Sequence, residues 1–352
     1  MSEHNDSEYD DFIWSNVFSS VEIQGKFVDK LGNDIDIRPM CKVLAAIAST
    51  LEIRKESIGD FIITDPKISP PLVIHANLKP DAYVHLRTKR INFNIGIILS
   101  ADSLPNFLGQ LQEITIDPTE KSISLDDLSR FKPNNEMLNE LHQMLIFWDE
   151  ARKRKNEYLV IPGDEWIGFH ISERMLTFLF IHELSHWSVN IYKEEVRNRL
   201  KDLVRLEILD AFSLFNSKGY FLEEARLFRE NEKVRERWVE EMFADKQAFQ
   251  YCLDYYHAGW SSELRKVLYY SITLVYVMTS MAEFFWEKVL GVPLVLTHPH
   301  SYLRKQLLAY IVCKNFFDMS LQDFYQKEWG IFLITEMLLQ SLLDKYYEAI
   351  RK

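Results

Sequence analysis

Ser172–Tyr192, with the sequence SERMLTFLFIHELSHWSVNIY, is the stretch that decides the fold. Its apolar residues recur at three- and four-residue spacing, which predicts a helix over residues 173–192 with one side buried in a core. Ser172 is a favourable N-cap residue, and Glu173 suits the first turn. The apolar face consists of Met175, Leu176, Leu179, Phe180 and Leu184. The polar residues near the end of this helix therefore need a separate explanation.

Two histidines and a glutamate lie together in the segment His182-Glu183-Leu184-Ser185-His186. Residues four apart lie on the same side of a helix, so both imidazoles can bind one tetrahedral zinc ion. Glu183 lies next to the first histidine and can take a proton from a water molecule at the metal. Without a ligand, each buried polar group in this apolar helix would cost about 1–3 kcal/mol. The segment therefore predicts a catalytic zinc site with Glu183 as general base.

A catalytic zinc ion takes three protein ligands and leaves one position for water. The segment Trp238–Asp245, WVEEMFAD, lies in a later helical stretch and offers carboxylates. Glu241 is the predicted third ligand, and its neighbour Glu240 is the alternative. Asp245 lies one turn further along the same face as Glu241. It could accept the second ring N–H of a zinc-bound histidine and so fix the tautomer of that ring.

The segment Thr297–Arg304, THPHSYLR, is a third polar cluster and precedes another helix. His298 is predicted to stabilise the oxyanion that forms when water attacks a peptide carbonyl. Tyr302 or Arg304 could serve instead. In a non-catalytic interpretation, His298 and Ser301 only cap the helix that follows.

The composition excludes several classes of protein. A net charge of -11 argues against a nucleic-acid binder, because such proteins depend on Lys and Arg at phosphates. Cys41, Cys252 and Cys313 are too sparse for a disulfide framework or a cysteine zinc site. The N-terminus is acidic and has no signal-peptide pattern, so a cytoplasmic location is expected. Val267–Ala282 has no charged residue but is short for a membrane span, and a buried core helix is predicted there.

The predicted fold class is α+β and predominantly helical, with a zincin-like core made of an active-site helix and a small mixed sheet. Residues 1–12 are predicted to be an acidic disordered tail, 13–133 a mixed α/β part and 134–352 a helical part, all forming one composite unit. Strands are predicted at 61–64, 72–75, 82–86, 91–99 and 158–161. Helices are predicted at 40–51, 106–113, 135–155, 173–192, 194–216, 222–256, 262–289, 301–316 and 330–350.

The order HELSH, then EMFAD, then THPHSYLR resembles the gluzincin clan of zinc metallopeptidases, and the closest pattern is that of the HtpX-type family. The resemblance covers three short segments only. It implies His182, His186 and Glu241 as zinc ligands and Glu183 as general base. It also implies Asp245 as a partner of a ligand and His298 as the group that stabilises the transition state. The chain also resembles the Lit-type phage-exclusion peptidases, which have an equally loose motif.

The predicted function is that of a zinc-dependent metalloendopeptidase acting on a protein or peptide substrate. An extended substrate could pair with a sheet edge supplied by Ile91–Leu99 or Tyr158–Ile161. The alternative is a non-catalytic helical interaction protein whose zinc site is structural or degenerate. A structural site would be closed by a fourth ligand such as His298 or His300. Glu183 favours the peptidase, because a structural zinc ion has no use for a base at that position.

Overall fold

The chain is a mostly helical α+β protein with a small mixed sheet, as the sequence predicts. The structure is a computed structural model, and it describes residues 21–24, 26–28, 72–75, 81–87, 90–94, 96–98, 100–101, 104, 158–160, 170–189, 194–256, 262–284, 287–288, 291, 298–317, 319–324 and 341–348. The tail predicted at 1–12, the strand at 61–64 and the helices at 40–51, 106–113 and 135–155 lie outside these residues.

Six strands are described, and four of them form one sheet. The strands are β1 (Val21–Gln24), β2 (Lys26–Val28), β3 (Leu72–His75), β4 (Ala82–His85), β5 (Arg90–Asn94) and β6 (Tyr158–Val160). The larger sheet has the order β1-β3-β5-β4, in which β4 is antiparallel and the other neighbours are parallel. β2 and β6 pair in parallel as a separate two-stranded sheet.

The strand predicted over Ile91–Leu99 is wrong in two respects. β5 ends at Asn94, and residues 96–98 are helical, with the Ser100 hydroxyl donating to the Gly96 carbonyl at 2.7 Å. The run GIIL after Asn94 has no alternation, and such a continuous apolar run fits a buried helix as well as a strand. β5 also lies between β3 and β4, so it is not a sheet edge. Among the described strands of the larger sheet, β4 is the edge nearest to the helices.

After the strands, the described part of the chain contains seven α-helices with defined bounds. They are α1 (His170–Val189), α2 (Glu194–Ser217), α3 (Leu222–Glu230), α4 (Glu232–Tyr255), α5 (Ser262–Phe284), α6 (Ser301–Val312) and α7 (Leu321–Phe324). A π-helical turn, Cys313–Phe317, continues α6, and residues 341–348 are also helical. The short helix α7 was not predicted. α5 ends at Phe284, residues 287–288 are π-helical, and the predicted limit of 289 lies outside the described residues.

The helix that carries HELSH begins earlier than the sequence suggests. α1 starts at His170, so Ser172 is its third residue and not its N-cap. The Ser172 side chain is fully buried, and its hydroxyl oxygen makes no hydrogen bond within the described part of the chain. N-cap preference is therefore overridden here by the packing of α1, which lies chiefly against α4 and α5 and touches β4 and β5.

The helix predicted over 222–256 is two helices. α3 ends and α4 begins at Asn231, whose backbone is extended, and its side chain accepts a hydrogen bond from the Val234 N–H at 3.2 Å. Asn is among the preferred N-cap residues, so the break has a local cause that the apolar periodicity concealed. Just before α3, Gly219 has φ 82 and ends α2 in a Schellman motif, with hydrogen bonds from Tyr220 to Phe215 and from Gly219 to Asn216.

Buried side chains of the sheet and of the helices form one core. Trp238 of α4, only 2% exposed, lies against Phe212 and Phe228 with ring centroids 6.5 and 6.0 Å apart. Phe93 of β5 meets Phe180 of α1 at 6.2 Å, which joins the sheet to the helix that carries HELSH. Burial of this kind stabilises a fold by about 25 cal/mol per Å² of apolar surface, so the core holds α1 and α4 side by side.

α5 contains the one segment, within the described residues, that is long and apolar enough to cross a membrane. This segment, Val267–Phe284, is 67% buried inside the protein, and its Tyr269 stacks on Phe249 of α4 at 5.8 Å. It therefore contributes to the protein core, as the sequence predicts. Cys252 and Cys313 are buried free thiols.

Candidate metal centre

Two histidines of α1 and one glutamate of α4 converge at a buried point between the two helices. The Nε2 atoms of His182 and His186 lie 3.1 Å apart. A carboxylate oxygen of Glu241 lies 3.5 Å from each of these nitrogens, Oε2 from His182 and Oε1 from His186. Glu241 is 7% exposed and His182 is 6% exposed. In the described part of the chain, this is the one group of three such ligands close enough to share a metal ion.

The separations of these atoms fit zinc. Two ligand atoms about 2.0–2.1 Å from a tetrahedral zinc ion lie about 3.3 Å from each other. The two nitrogens lie 3.1 Å apart, and each lies 3.5 Å from a different oxygen of the Glu241 carboxylate, close to this value. Two imidazoles and one carboxylate are also a common ligand set of catalytic zinc. The residues present therefore fit the ion that the sequence predicts.

Asp245 lies behind the first histidine, where the sequence places a partner for a ligand. Its Oδ1 is 2.8 Å from Nδ1 of His182, and the residue is fully buried. Contact at Nδ1 leaves Nε2 of the same ring directed at His186 and Glu241. A carboxylate behind a metal-binding imidazole fixes its tautomer and its orientation, and the Asp245 contact has the geometry of such a pair.

Arg304 of α6 binds both carboxylates of α4. Its Nε and Nη2 donate to the two oxygens of Asp245 at 2.9 and 2.7 Å, and its Nη1 lies 3.2 Å from Oε2 of Glu241. The guanidinium also lies 5.7 Å from the ring centroid of Tyr276 in α5. Such a two-pronged contact is short and directional, which fixes both carboxylates relative to α6.

The charges at the centre are strongly coupled. Burial raises the pKa of Glu183 to about 8, and the Glu241 and Asp81 carboxylates add to this against the effect of His182. Burial lowers the pKa of His186 to about 4. For Glu241, burial acts to raise the pKa, but the Arg304 guanidinium and the three neighbouring histidines together hold the pKa well below its usual range. Glu241 is thus an anion that is ready to bind a cation.

Burial and the Asp245 carboxylate shift the pKa of His182 in opposite directions. Burial alone would lower the pKa of His182, but the neighbouring Asp245 raises it to about 10. In the metal-free protein this ring is therefore an imidazolium that compensates the buried carboxylates. A metal ion would take over that role, because a metal ligand must be a neutral imidazole.

The THPHSYLR segment reaches the centre through one of its two histidines. His298 has Nε2 3.2 Å from Oε1 of Glu241, and its side chain is 57% exposed at the mouth of the site. His300 lies instead beside Glu283 of α5, with Nδ1 3.8 Å from Oε2. Tyr302, the first alternative to His298, is exposed and packs against Phe221 with ring centroids 5.8 Å apart. Arg304, the second alternative, is occupied by the two carboxylates.

Glu240, the alternative third ligand, lies away from the centre. Its carboxylate binds Nζ of Lys201 on α2 at 2.5 Å. Adjacent residues of a helix point about 100° apart, so only one of the two glutamates of α4 can face α1. The structure thus brings Glu241, and not Glu240, to the histidines.

Two residues with a part in this site could not be found from the zinc-ligand pattern. Arg304 is predicted only as an alternative to His298, and in the sequence it begins the polar run Arg304-Lys305-Gln306, which does not point to a buried partner. Glu283, which contacts the start of α6, had no signal in the sequence beyond ending an apolar stretch. Comparison with known protein families, with characterised proteins and with solved structures finds no match for this chain.

Proposed function

We propose that the chain is a zinc-dependent metalloendopeptidase that hydrolyses peptide bonds of a protein substrate in the cytoplasm. The observation that carries this proposal is the convergence of His182, His186 and Glu241, with the separate carboxylate Glu183 next to the first ligand. A ligand set with a spare carboxylate beside it suits hydrolysis, because a bound water then has a base within reach.

Each residue of the centre has one proposed task. His182, His186 and Glu241 would hold the ion, and Asp245 would orient His182. When bound, zinc would supply a Lewis acid for the scissile carbonyl and lower the pKa of water toward about 7. Glu183 takes the proton of the attacking water and later passes it to the leaving amine.

His298 has the proposed task of donating a hydrogen bond to the oxyanion. Its exposed position at the mouth of the site, beside Glu241, leaves it accessible to a substrate carbonyl. Hydrogen-bond donors aimed at the developing charge are among the largest contributions to such reactions.

A zincin-like core is the finer fold that we propose. Its elements would be α1 with two ligands, α4 with the third, and the mixed sheet that packs on α1. Three ligands support an open, catalytic site over a closed one, since His300 lies by Glu283 and His298 is not close to all three ligand atoms. Both resemblances, to the gluzincin clan and to the Lit-type peptidases, are compatible with this arrangement. The proposed partner is a protein or peptide substrate, and neither nucleic acid nor a membrane is proposed as a partner.

The edge strand β4 is the proposed binding place of an extended substrate. Asn94 donates to the Asp81 carbonyl at 3.1 Å, so these two residues form a hydrogen-bonded pair. Hydrogen-bonded and open pairs alternate along an antiparallel ladder, so Ala82 and Val84 direct their backbone groups away from β5. β4 packs directly on α1, the helix that carries Glu183, so this edge lies beside the element that holds the base. A peptide paired with β4 would therefore run past the metal centre.

Val84→Pro is expected to weaken substrate binding at this edge. Proline removes the outward N–H that would pair with the substrate, while the bonds from β4 to β5 are made by the neighbouring residues. Loss of one such hydrogen bond costs about 0.5–1.5 kcal/mol, or roughly a three- to tenfold rise in KM. Val84→Ala, which keeps the N–H, serves as the control in assays with fluorescein-labelled casein. Equal KM values for the two variants would contradict binding along β4.

Elemental analysis of the purified protein tests the proposed function most directly. We expect about one zinc ion per chain in the wild type after dialysis against zinc, and much less in His186→Ala, because two ligands hold zinc poorly. New N-termini should appear in a cell lysate treated with the wild type, disappear with a chelator and return with zinc. A protein that binds no zinc in either form would leave the alternative, a non-catalytic interaction protein.

A further inference from the structure

The start of α6 decides where two groups of the centre lie. His298 precedes this helix by three residues, and Arg304 lies in its first turn. The N-cap residue of α6 is His300, and its side chain makes no capping hydrogen bond. The first N–H groups of a helix require acceptors, so another part of the chain must supply one.

Glu283, at the end of α5, supplies that acceptor. Its Oε1 and Oε2 accept from the Ser301 N–H at 3.1 and 3.3 Å, and the Ser301 hydroxyl donates to Oε1 at 2.8 Å. The same hydroxyl lies 2.9 Å from Oγ1 of Thr279, one turn earlier in α5. A carboxylate at a helix N-terminus is also favoured by the helix dipole. α6 is thus capped from outside, by the neighbouring helix.

This cap is linked to His298 by a short and stiff connection. Pro299 lies between His298 and the capped turn, is buried, and has a φ fixed by its ring. The His298 side chain is 57% exposed, so burial of the ring itself contributes little to its position beside Glu241. The place of the imidazole therefore depends on the backbone that Glu283 holds.

We infer that Glu283 is a positioning residue of the proposed reaction, which holds the His298 imidazole beside Glu241 by binding the N-terminus of α6 at Ser301. The inference rests on the proposed function for the task of His298, while the position of the ring can be tested without turnover. The described contacts of Glu283 are with Ser301 and His300, so we expect it to affect the reaction through the backbone that carries His298.

Glu283→Ala should lower kcat on labelled casein about 10- to 100-fold with little change in KM, since a displacement near 1 Å of a catalytic group can cost 10²-fold. Glu283→Gln keeps a neutral acceptor for Ser301, so its kcat should fall clearly less than that of Glu283→Ala. Glu287→Ala is the matched control: Glu287 is a second carboxylate near His300, but it pairs with Lys288. It should behave as the wild type.

A double-mutant cycle separates positioning from general damage to the fold. If Glu283 acts through His298, Glu283→Ala should lower kcat much less in a His298→Ala background than in the wild type. Equal losses in the two backgrounds would overturn the inference, because Glu283 would then act on something else.

The histidine side-chain NMR signals of the metal-free protein provide a readout that needs no substrate. The His298 signal, assigned by its loss in His298→Ala, should move toward that of a solvent-exposed histidine in Glu283→Ala and stay in place in Glu287→Ala. An unmoved signal in folded Glu283→Ala would overturn the inference. If the wild type cleaves neither casein nor the proteins of a cell lysate, the proposed activity fails, and the NMR result still decides whether Glu283 holds the ring in place.

Discussion

Glu183→Gln is expected to abolish peptide hydrolysis and to leave zinc bound. The amide has nearly the shape of the carboxyl group but cannot accept the proton of the attacking water. Loss of a general base typically costs 10²–10⁴-fold in rate. The three ligands of the ion are unchanged, so the variant should hold about one zinc ion per chain, as the wild type should. Hydrolysis of labelled casein and elemental analysis, performed on the same preparation, measure both quantities.

Instability should not explain the lost activity of this variant. Burial raises the pKa of Glu183 to about 8 in the metal-free protein. A carboxyl group with a raised folded-state pKa destabilises the fold increasingly as the pH rises above its ordinary pKa, and the neutral amide removes that penalty. We therefore expect Glu183→Gln to unfold at no lower urea concentration than the wild type at pH 7.

Glu240→Gln is the matched control for the same substitution. Glu240 is adjacent to the ligand Glu241 but binds Lys201 on another face of α4. It should retain full hydrolysis and full zinc content. If Glu183→Gln turned over casein at the wild-type rate, Glu183 would not be the base, and the assignment of the centre as a peptidase would have to be withdrawn.

The part of the site that lies within one helix could be predicted from the sequence. Helical periodicity fixes which residues share a face, so the spacing of His182 and His186 determines their relative position before any packing is known. Glu241 and Asp245 were predicted as a pair for the same reason. Their approach to α1 depends on tertiary packing, and the sequence indicated it only through the need of zinc for a third ligand.

Features that depend on contacts between elements could not be predicted. Ile91–Leu99, one of the two predicted edges, is interior, and nothing in its sequence reveals that β4 pairs on its outer side. The other, Tyr158–Ile161, contains β6, which among the described strands pairs with β2 alone. The break at Asn231 was missed because apolar periodicity continues across it while the chain bends. Glu283 and Ser301 are 18 residues apart, and their hydrogen bonds arise only when α5 and α6 pack. The sheet edge and the Glu283 contact thus depend on neighbours in space, whereas the break at Asn231 has a local cause, the N-cap side chain.

Arg304→Ala is expected to destabilise the metal-free protein strongly. Arg304 lies between Asp245, which is fully buried, and Glu241, which is 7% exposed, and it compensates their charges together with the His182 imidazolium. Removing one partner of a buried ion pair leaves an uncompensated charge and costs about 3–5 kcal/mol. The free energy of unfolding of Arg304→Lys should lie between those of Arg304→Ala and the wild type, since an ammonium keeps the charge but cannot bind both oxygens of Asp245 side by side. Urea unfolding in the presence of a chelator measures these differences.

Adding zinc distinguishes a charge effect at Arg304 from lost packing. In Arg304→Ala, an ion held by Glu241 would compensate part of the negative charge that the missing guanidinium no longer balances. The increase in unfolding free energy on adding zinc should therefore be larger in Arg304→Ala than in the wild type, provided that the variant still binds the ion.

Arg226→Ala, which breaks an exposed pair with Glu223, is the control and should cost at most about 1 kcal/mol. An Arg304→Ala protein as stable as this control would show that the buried carboxylates do not need Arg304. Asp245 and Glu241 would then be protonated or otherwise paired, and the picture of Glu241 as an anion prepared for a metal ion would be wrong.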